Sequence, residues 1–455
     1  MFGSTTLIII AGLILLTLLS IAFPVGPTPR VALIMLIIAG ASFFIPPFVT
    51  FFAFGMLLLL TIQDAIFAAK KVKVIRAMPD QLARGVPAPF RIGIPDGHNQ
   101  AGLKTSIRQP RCADIELSKK EAKNNLTGTI TALRRGKHTL PPFAIKVRGP
   151  LGLAIWHRPG KETHEVKVFP DLPSANRLAH SIQQGKFSTA GLKRRGPLGL
   201  GTNFESVREY FSDDDMRLVN WSATARVGRP MTNQYRVEQD RDVHCLIDTG
   251  RLMTAPLPTD LANAEIDLTE EENFDYFLTR LDIALDCVCA IVSVADVMGD
   301  RSGVISFDSK IRKHLKPRRA GSRSVIKAIY DLEPIPVDSD FEVACSRIGN
   351  SKRSYVIICT DFLDLQSAKP LLRALRTITR KHRVVVASVI DTDIESTMLS
   401  PHELLAYSAT QMSNDVSEVI SAIKNTGAEV VYAHRDNIML ECVKSYLEAK
   451  QRARI

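Results

Sequence analysis

The stretch from Thr5 to Phe23, TTLIIIAGLILLTLLSIAF, carries no charged side chain over about the length that crosses a bilayer. A second apolar region runs from Val31 to Ile62 and is interrupted by Pro46-Pro47. It is too long for one untilted span and short in each half, so the pattern predicts a tight hairpin of two segments, with one kinked span as the alternative. The first stretch lacks a basic leader and is followed almost at once by more apolar sequence, which reads as an anchor rather than a cleaved signal. Lys70, Lys71, Lys73 and Arg76 lie just beyond the last apolar segment. The positive-inside bias then places the C-terminal bulk in the cytoplasm, and with three spans Arg30 also falls inside. A membrane of two or three helices is therefore the first expectation for residues 1–64. The net charge of +11 would suggest nucleic acid for a soluble protein. Beside a membrane it fits anionic lipid better, and no nucleic-acid partner is expected.

After the membrane region the texture turns β-like. FRIGI, GTITAL, FAIKV and EVKVF alternate apolar and polar residues between Gly-, Pro- and Asn-rich turns. Such spacing predicts an antiparallel all-β sandwich over residues 65–175. Asp171 to Asn203, including KRRGPLGLG, reads as a basic surface connection. It opens a connector over 176–241. From Asp242 onward strands alternate with helices: DVHCLID, a helix over Phe274–Val297, SGVISF, a helix near Ser322, SYVIICTD, a helix over Gln366–Lys381, RVVVASVID, a helical stretch through Ile423, AEVVYAH, and a last helix over Asn437–Lys450. That order predicts an α/β doubly wound, Rossmann-type parallel sheet over 242–455. Its ligand crevice would lie at the carboxyl ends of the strands, where Asp248, Asp361 and Asp391 fall. Cys245, Cys287, Cys289 and Cys359 sit in apolar runs with no CxxC pair, as small buried hydrophobes do.

Signatures of common catalysis are missing: no GxxxxGK[ST] loop, no GxSxG elbow, and no second histidine after His402-Glu403. The strand-end carboxylates remain. Asp248 and Asp361, brought together, would bind a hard divalent cation if hydroxyl ligands accompanied them. The metal-binding von Willebrand factor A domain uses this plan, with D-x-S-x-S after the first strand, then a Thr, then an Asp. The resemblance is partial. Asp248 and Asp361 match the two acids and Ser339 stands where the Thr belongs, but Gly250 and Leu252 hold the serine positions. Magnesium is thus possible only at a degenerate site, and no cofactor is expected. The bland reading is that both acids cap turns and pair with cations such as Arg251. That guanidinium would partly replace the missing cation's charge.

The segment REYFSDDDMRLVNWSATAR, Arg208 to Arg226, groups Asp213, Asp214 and Asp215 beside one of two tryptophans. Ser212 is a good N-cap, and carboxylates in a first turn meet the positive helix end favourably. Leu218, Trp221 and Ala225 then share an apolar face. Arg208, Arg217 and Arg226 would pair with Glu209 and the aspartates, with Tyr210 between. The segment reads as a charged clasp between two domains rather than a catalytic cluster. The pattern F-x-x-x-R-E-Y-x-x-x-D-D-x-R-x-x-x-W-x-x-x-A-R, here FESVREYFSDDDMRLVNWSATAR, resembles the signature of membrane-associated domain-of-unknown-function family 58. RRGKHTLPPFAIKVRGPLGLAIW, DTGRLM, MGDRSGVISF and TDFLD are similar to further parts of it. Ser212-Asp213 departs from the usual Pro-Gly turn before the paired Asp.

The resemblance implies an N-terminal membrane hairpin, a β-sandwich and a cytoplasmic von Willebrand factor A-like domain at the bacterial inner membrane. It also implies a MoxR-type AAA+ ATPase as protein partner, and work in assembly, maturation or envelope maintenance. The expected function is a membrane-anchored, non-enzymatic adaptor whose crevice at Asp248, Gly250, Arg251, Ser339 and Asp361 meets that partner. The alternatives are a divalent-metal-dependent enzyme acting on an envelope precursor, and a purely structural scaffold.

Overall fold

Proline fixes its own φ, lacks an N–H, and keeps the preceding residue out of the helical region. Pro46-Pro47 accordingly splits the second apolar region in the computed structural model. Helix α1 (Pro29–Ala41) ends before the pair and helix α2 (Pro47–Ala68) starts at its second member. The structure describes residues 25–42, 44–70, 72–94, 103–110, 112, 114–160, 162–184, 203–211, 214–236, 241–257, 278–349 and 352–451. The first apolar stretch, 5–23, lies outside them. With 13 residues, α1 is about 20 Å long, short of a hydrocarbon core of about 30 Å. Phe48–Ala68 in α2 is the one helix among the described residues long and apolar enough to cross a membrane. Val31, Met35 and Leu57 hold the two helices together, while Leu36, Phe52, Leu59 and Ile66 stand exposed.

The chain divides into two units, Met1–Val168 and Phe169–Ile455. In the first, the only charged residue of α2 explains a sequence motif. Asp64 is fully buried, and its carboxylate accepts from the backbone N–H groups of Leu151, Leu153 and Ala154 at 2.7–2.9 Å. These amides belong to the PLGL turn between strands β10 (Ala144–Arg148) and β11 (Ala154–Pro159). A side chain at Gly149 would collide with the Asp64 carboxyl, so glycine is required there. The Trp156 indole N–H donates to the Ala65 carbonyl at 2.8 Å, and Thr28 Oγ1 donates to the Gly152 carbonyl at 2.8 Å. The membrane-type helices are thereby joined to the β domain by hydrogen bonds that a flexible tether would not make.

That domain has three antiparallel sheets: β1 (Val25–Pro27) with β11, β10, β5 (Lys104–Arg108) and β7 (Glu121–Lys123); β2 (Ile75–Ala77), β4 (Ala88–Gly93), β8 (Asn125–Ala132) and β6 (Ile115–Leu117); and β3 (Gln81–Ala83), β12 (His164–Phe169) and β9 (Gly136–Leu140). Alternation along the strands turns Phe90, Ile92, Ile107, Leu126, Ile130 and Val166 into one core.

The second unit is built on a six-stranded sheet, ordered β17-β16-β15-β18-β19-β20. Strands β15 (Asp242–Asp248), β16 (Arg301–Phe307), β18 (Tyr355–Cys359), β19 (Arg383–Val389) and β20 (Glu429–Ala433) are parallel; β17 (Ile311–Arg319) runs antiparallel at the edge. Helices α5 (Arg280–Val297) and α11 (Arg435–Gln451) cover one face, and α7 (Phe341–Ser346), α8 (Leu365–Ile378) and α10 (Glu403–Asn425) the other. Both faces are buried, so the inner strands read as continuous apolar runs.

Three expectations change here. The stretch after Asp171 is not wholly a surface connection. Asp171 caps helix α3 (Leu172–Gln183), which buries Ala175 and Ala179 against α5; residues 185–202 lie outside the described part. The helix expected over Phe274–Val297 begins at Arg280, where Thr279 and Asp282 form a capping box. Positions 274–277 are outside the described residues. Finally, one edge strand is antiparallel, and its sequence IRKHLKPRR carries the cations and proline that keep an open edge from pairing.

Candidate functional site

Strands β15 and β18 are adjacent and the chain leaves them toward opposite sides of the sheet, which opens a crevice at their carboxyl ends. Asp248 closes β15 and is almost fully buried. One of its oxygens accepts from the Gly250 N–H at 2.8 Å and from the Ser339 hydroxyl; the other accepts from the Thr360 hydroxyl at 2.6 Å. Asp361 follows β18. It accepts from the Ser388 hydroxyl at 2.7 Å and pairs with the guanidinium of Arg280, which also holds Asp391 at 2.7 Å. Arg280 is 8% exposed, and its Nε has no partner among the described residues. Burial pushes the Asp248 carboxyl above its ordinary range, against the Ser339 and Thr360 hydroxyls and the Gly250 amide, which pull it down. Burial likewise raises Asp361, opposed first by the Arg280 charge.

Five expected crevice residues therefore have definite places. Asp248, Gly250 and Ser339 form one hydrogen-bonded group. Asp361 lies next in sequence to Thr360, which joins it to that group. Arg251 does not take the central position. Its side chain is exposed and pairs with Asp338 at 3.2 Å, on the rim beside the Ser339 loop. The guanidinium that meets strand-end acids is Arg280, at the first position of α5, which pairs with Asp361 and Asp391. The Ser339 hydroxyl is oriented by donating its hydrogen to Asp248. A Cβ on Gly250 would collide with that hydroxyl and come within 2.8 Å of the Val337 carbonyl. A serine at 250 would therefore not fit this loop. A divalent ion needs several oxygen donors that are free to turn toward it. Here Asp361 is held by a guanidinium, and Gly250 and Leu252 offer no side-chain oxygen, so the donor set does not fit magnesium.

Arg280, Thr360 and Ser388 were not singled out by sequence reasoning. Arg280 did leave a signal. It is the one cation of a mostly buried helix and stands at the N-terminal end, where it opposes the helix dipole, so acids must meet it.

The signature segment folds as a hairpin, β13 (Asn203–Glu209) against β14 (Met231–Arg236), with helical turns between. The single capped helix expected after Ser212 is not formed. Asp215 caps a short 3-10 turn over Met216–Leu218, and Asn220 caps helix α4 (Trp221–Val227). Ser212 and Asp213 lie outside the described residues. Asp214 takes both guanidinium nitrogens of Arg208, at 2.6 and 2.8 Å, and the Phe211 N–H at 2.9 Å. The Tyr210 hydroxyl donates to the Asp214 carbonyl at 3.1 Å. Glu209 pairs with Arg229 rather than with Arg226 or Arg217. The clasp is thus real at Arg208–Asp214, but it closes its own hairpin. The apolar face expected at Trp221 is not buried: that side chain is 70% exposed, with Phe211, Met216 and Val227 also exposed.

Three curated relatives, uncharacterized proteins of Mycobacterium bovis and of two strains of Mycobacterium tuberculosis, are each 25% identical over 201 residues. The match covers 42% of this chain and 56% of each relative; the chain thus spans little more than half the length of the curated relatives it matches. Residues 206–254 and 264–399, which hold the hairpin, the β15 loop, Arg280, Thr360, Asp361 and Asp391, match the family described as "Protein of unknown function DUF58".

Proposed function

We propose that the chain is a membrane-anchored, non-enzymatic adaptor whose second unit is a von Willebrand factor A-like recognition domain in the cytoplasm. In this reading it works with a MoxR-type AAA+ ATPase in assembly, maturation or envelope maintenance at a bacterial inner membrane. One observation carries it: Arg280 pairs from within with both Asp361 and Asp391, in the crevice where a reactive or metal-binding centre would lie. Acids already tied to a buried guanidinium are suited to holding loop shape, and the rim around them to contact. The exposed aromatic side chains of the signature hairpin support the same view, because Trp and Tyr are typical anchors of protein interfaces.

Site-specific photocrosslinking in native membranes tests it. A photoreactive residue at Arg251, on the crevice rim, is expected to capture an AAA+ ATPase. The same residue at Arg380, which precedes β19 at the opposite end of the sheet, is not. Equal capture from both positions, or capture of no ATPase from Arg251, would overturn the reading.

A further inference from the structure

Between Arg383 and Lys424 the sequence has no lysine or arginine, yet it contains Asp391, Asp393, Glu395, Glu403, Asp415 and Glu418. This is unusual in a chain of net charge +11. The stretch leaves β19, forms helix α9 (Thr392–Met398), and enters α10. Only the later part of α10 is seated on the sheet, through Val416, Val419 and Ile423. The earlier part, Glu403–Asn414, is roughly 18 Å long at the rise of an α-helix and buries Ala409 while leaving its other side exposed.

At about 100° per residue, Leu404, Leu405, Tyr407 and Met412 fall within one arc of about 160°. Ala406, Ala409 and Ser413 lie on the other side, and they are the less exposed positions. The bulky apolar side chains therefore point away from the body. Leu404 is 82% exposed and Leu399, at the turn between the helices, 88% exposed. Of the acids, Asp391 is held by Arg280 and Glu395 lies 3.7 Å from His434. Asp393 is exposed on α9 and Glu403 at the start of α10, and Asp415 and Glu418 are exposed on its later part.

We infer that the exposed side of this arm is the docking surface for a basic, amphipathic helix of a partner protein. The charge excludes the other surfaces a membrane-proximal domain meets, since anionic lipid and nucleic acid would both be repelled. A second copy fits less well. Its basic edge strand β17 offers complementary charge, but its apolar residues Ile311 and Leu315 are packed against its own core. A helix with cations beside leucine-type side chains satisfies both features of the arm. The inference deepens the adaptor reading by naming the chemistry of what is bound.

Binding of a fluorescent model helix of leucine and lysine tests the inference, with the full chain held in zwitterionic nanodiscs. A leucine–glutamate helix and discs carrying the exposed-site variant L404S/Y407S serve as controls. The expected result is saturable binding that weakens with salt. The variant should bind about tenfold more weakly or worse, as loss of two interface anchors implies, and the glutamate helix should not bind. Equal binding of the two helices, or no difference between variant and wild type, would overturn the proposal. So would self-association of the chain that the same substitutions abolish, which would make a second copy the occupant. A positive result here with no ATPase crosslink from Arg251 would remove the ATPase and leave the docking surface. The reverse pair of results would remove only the docking surface.

Discussion

At the scale of single residues, the strand-end acids illustrate how a buried charge is kept. Asp361 and Asp391 share one guanidinium, and removing a buried partner leaves an uncompensated charge. Arg280→Met should therefore destabilise the second unit by about 3 to 5 kcal/mol. In hydrogen exchange, amides of β18 should then lose about a hundredfold or more of their protection; unchanged protection would mean the pairing carries no stability. His244, on β15, has the opposite problem. Burial and the neighbouring His382 and His314 lower its pKa from 6.5 to about 4, and its Nε2 lacks a partner among the described residues. The folded chain keeps it neutral while the unfolded chain takes up a proton below pH 6.5, so stability falls as pH drops from 6.5 to about 4. The loss reaches about 3 kcal/mol over that window. His244→Leu should flatten that acid slope without abolishing it, because His314 and His382 are shifted the same way. A variant with the wild-type slope would assign the pH dependence elsewhere.

At the scale of elements, Asp64 and the signature hairpin carry opposite lessons. A lone carboxylate in an apolar helix looks like a defect until the turn that it caps is found 87 to 90 residues away. Asp64→Ala would orphan three buried amides at about 1 kcal/mol or more each. Exchange at Leu151, Leu153 and Ala154 should accelerate well beyond that of neighbouring strands. In the hairpin, Trp221 is exposed, so Trp221→Ala should change stability by less than about 0.5 kcal/mol. A large loss would show that it packs against something in the folded chain. The apolar spacing of Leu218, Trp221 and Ala225 suggested one helix, but the chain breaks it with two separate caps, at Asp215 and Asn220. Local capping signals can be read one by one, yet their competition is decided by the pairing of β13 with β14.

For the molecule as a whole, the second unit was the more legible. Buried parallel strands announce themselves as apolar runs, and DVHCLID, SGVISF, SYVIICTD and RVVVASVID all became strands. The antiparallel β17 did not, because its alternation is masked by cations that protect an edge. The crevice was half legible: the acids at strand ends follow from the alternation of strands and helices. Which cation faces them depends on the entry angle of α5, set by contacts far apart in sequence. Arg251 is three residues from Asp248 yet points outward, whereas Arg280 reaches Asp361 across 81 positions. The second unit also separates charge, with basic β17 at one edge of the sheet and acidic α9 and α10 following β19, a division that the net charge of the chain conceals.

Arg280 holds Asp361 and Asp391 from inside the fold, so that Asp361 is not free to ligate a divalent ion. Isothermal calorimetry of the full chain with Mg²⁺ and Mn²⁺ tests it most directly. The account predicts no saturable heat at millimolar ion. Saturable binding at or below that range, lost in Asp361→Asn, would contradict it.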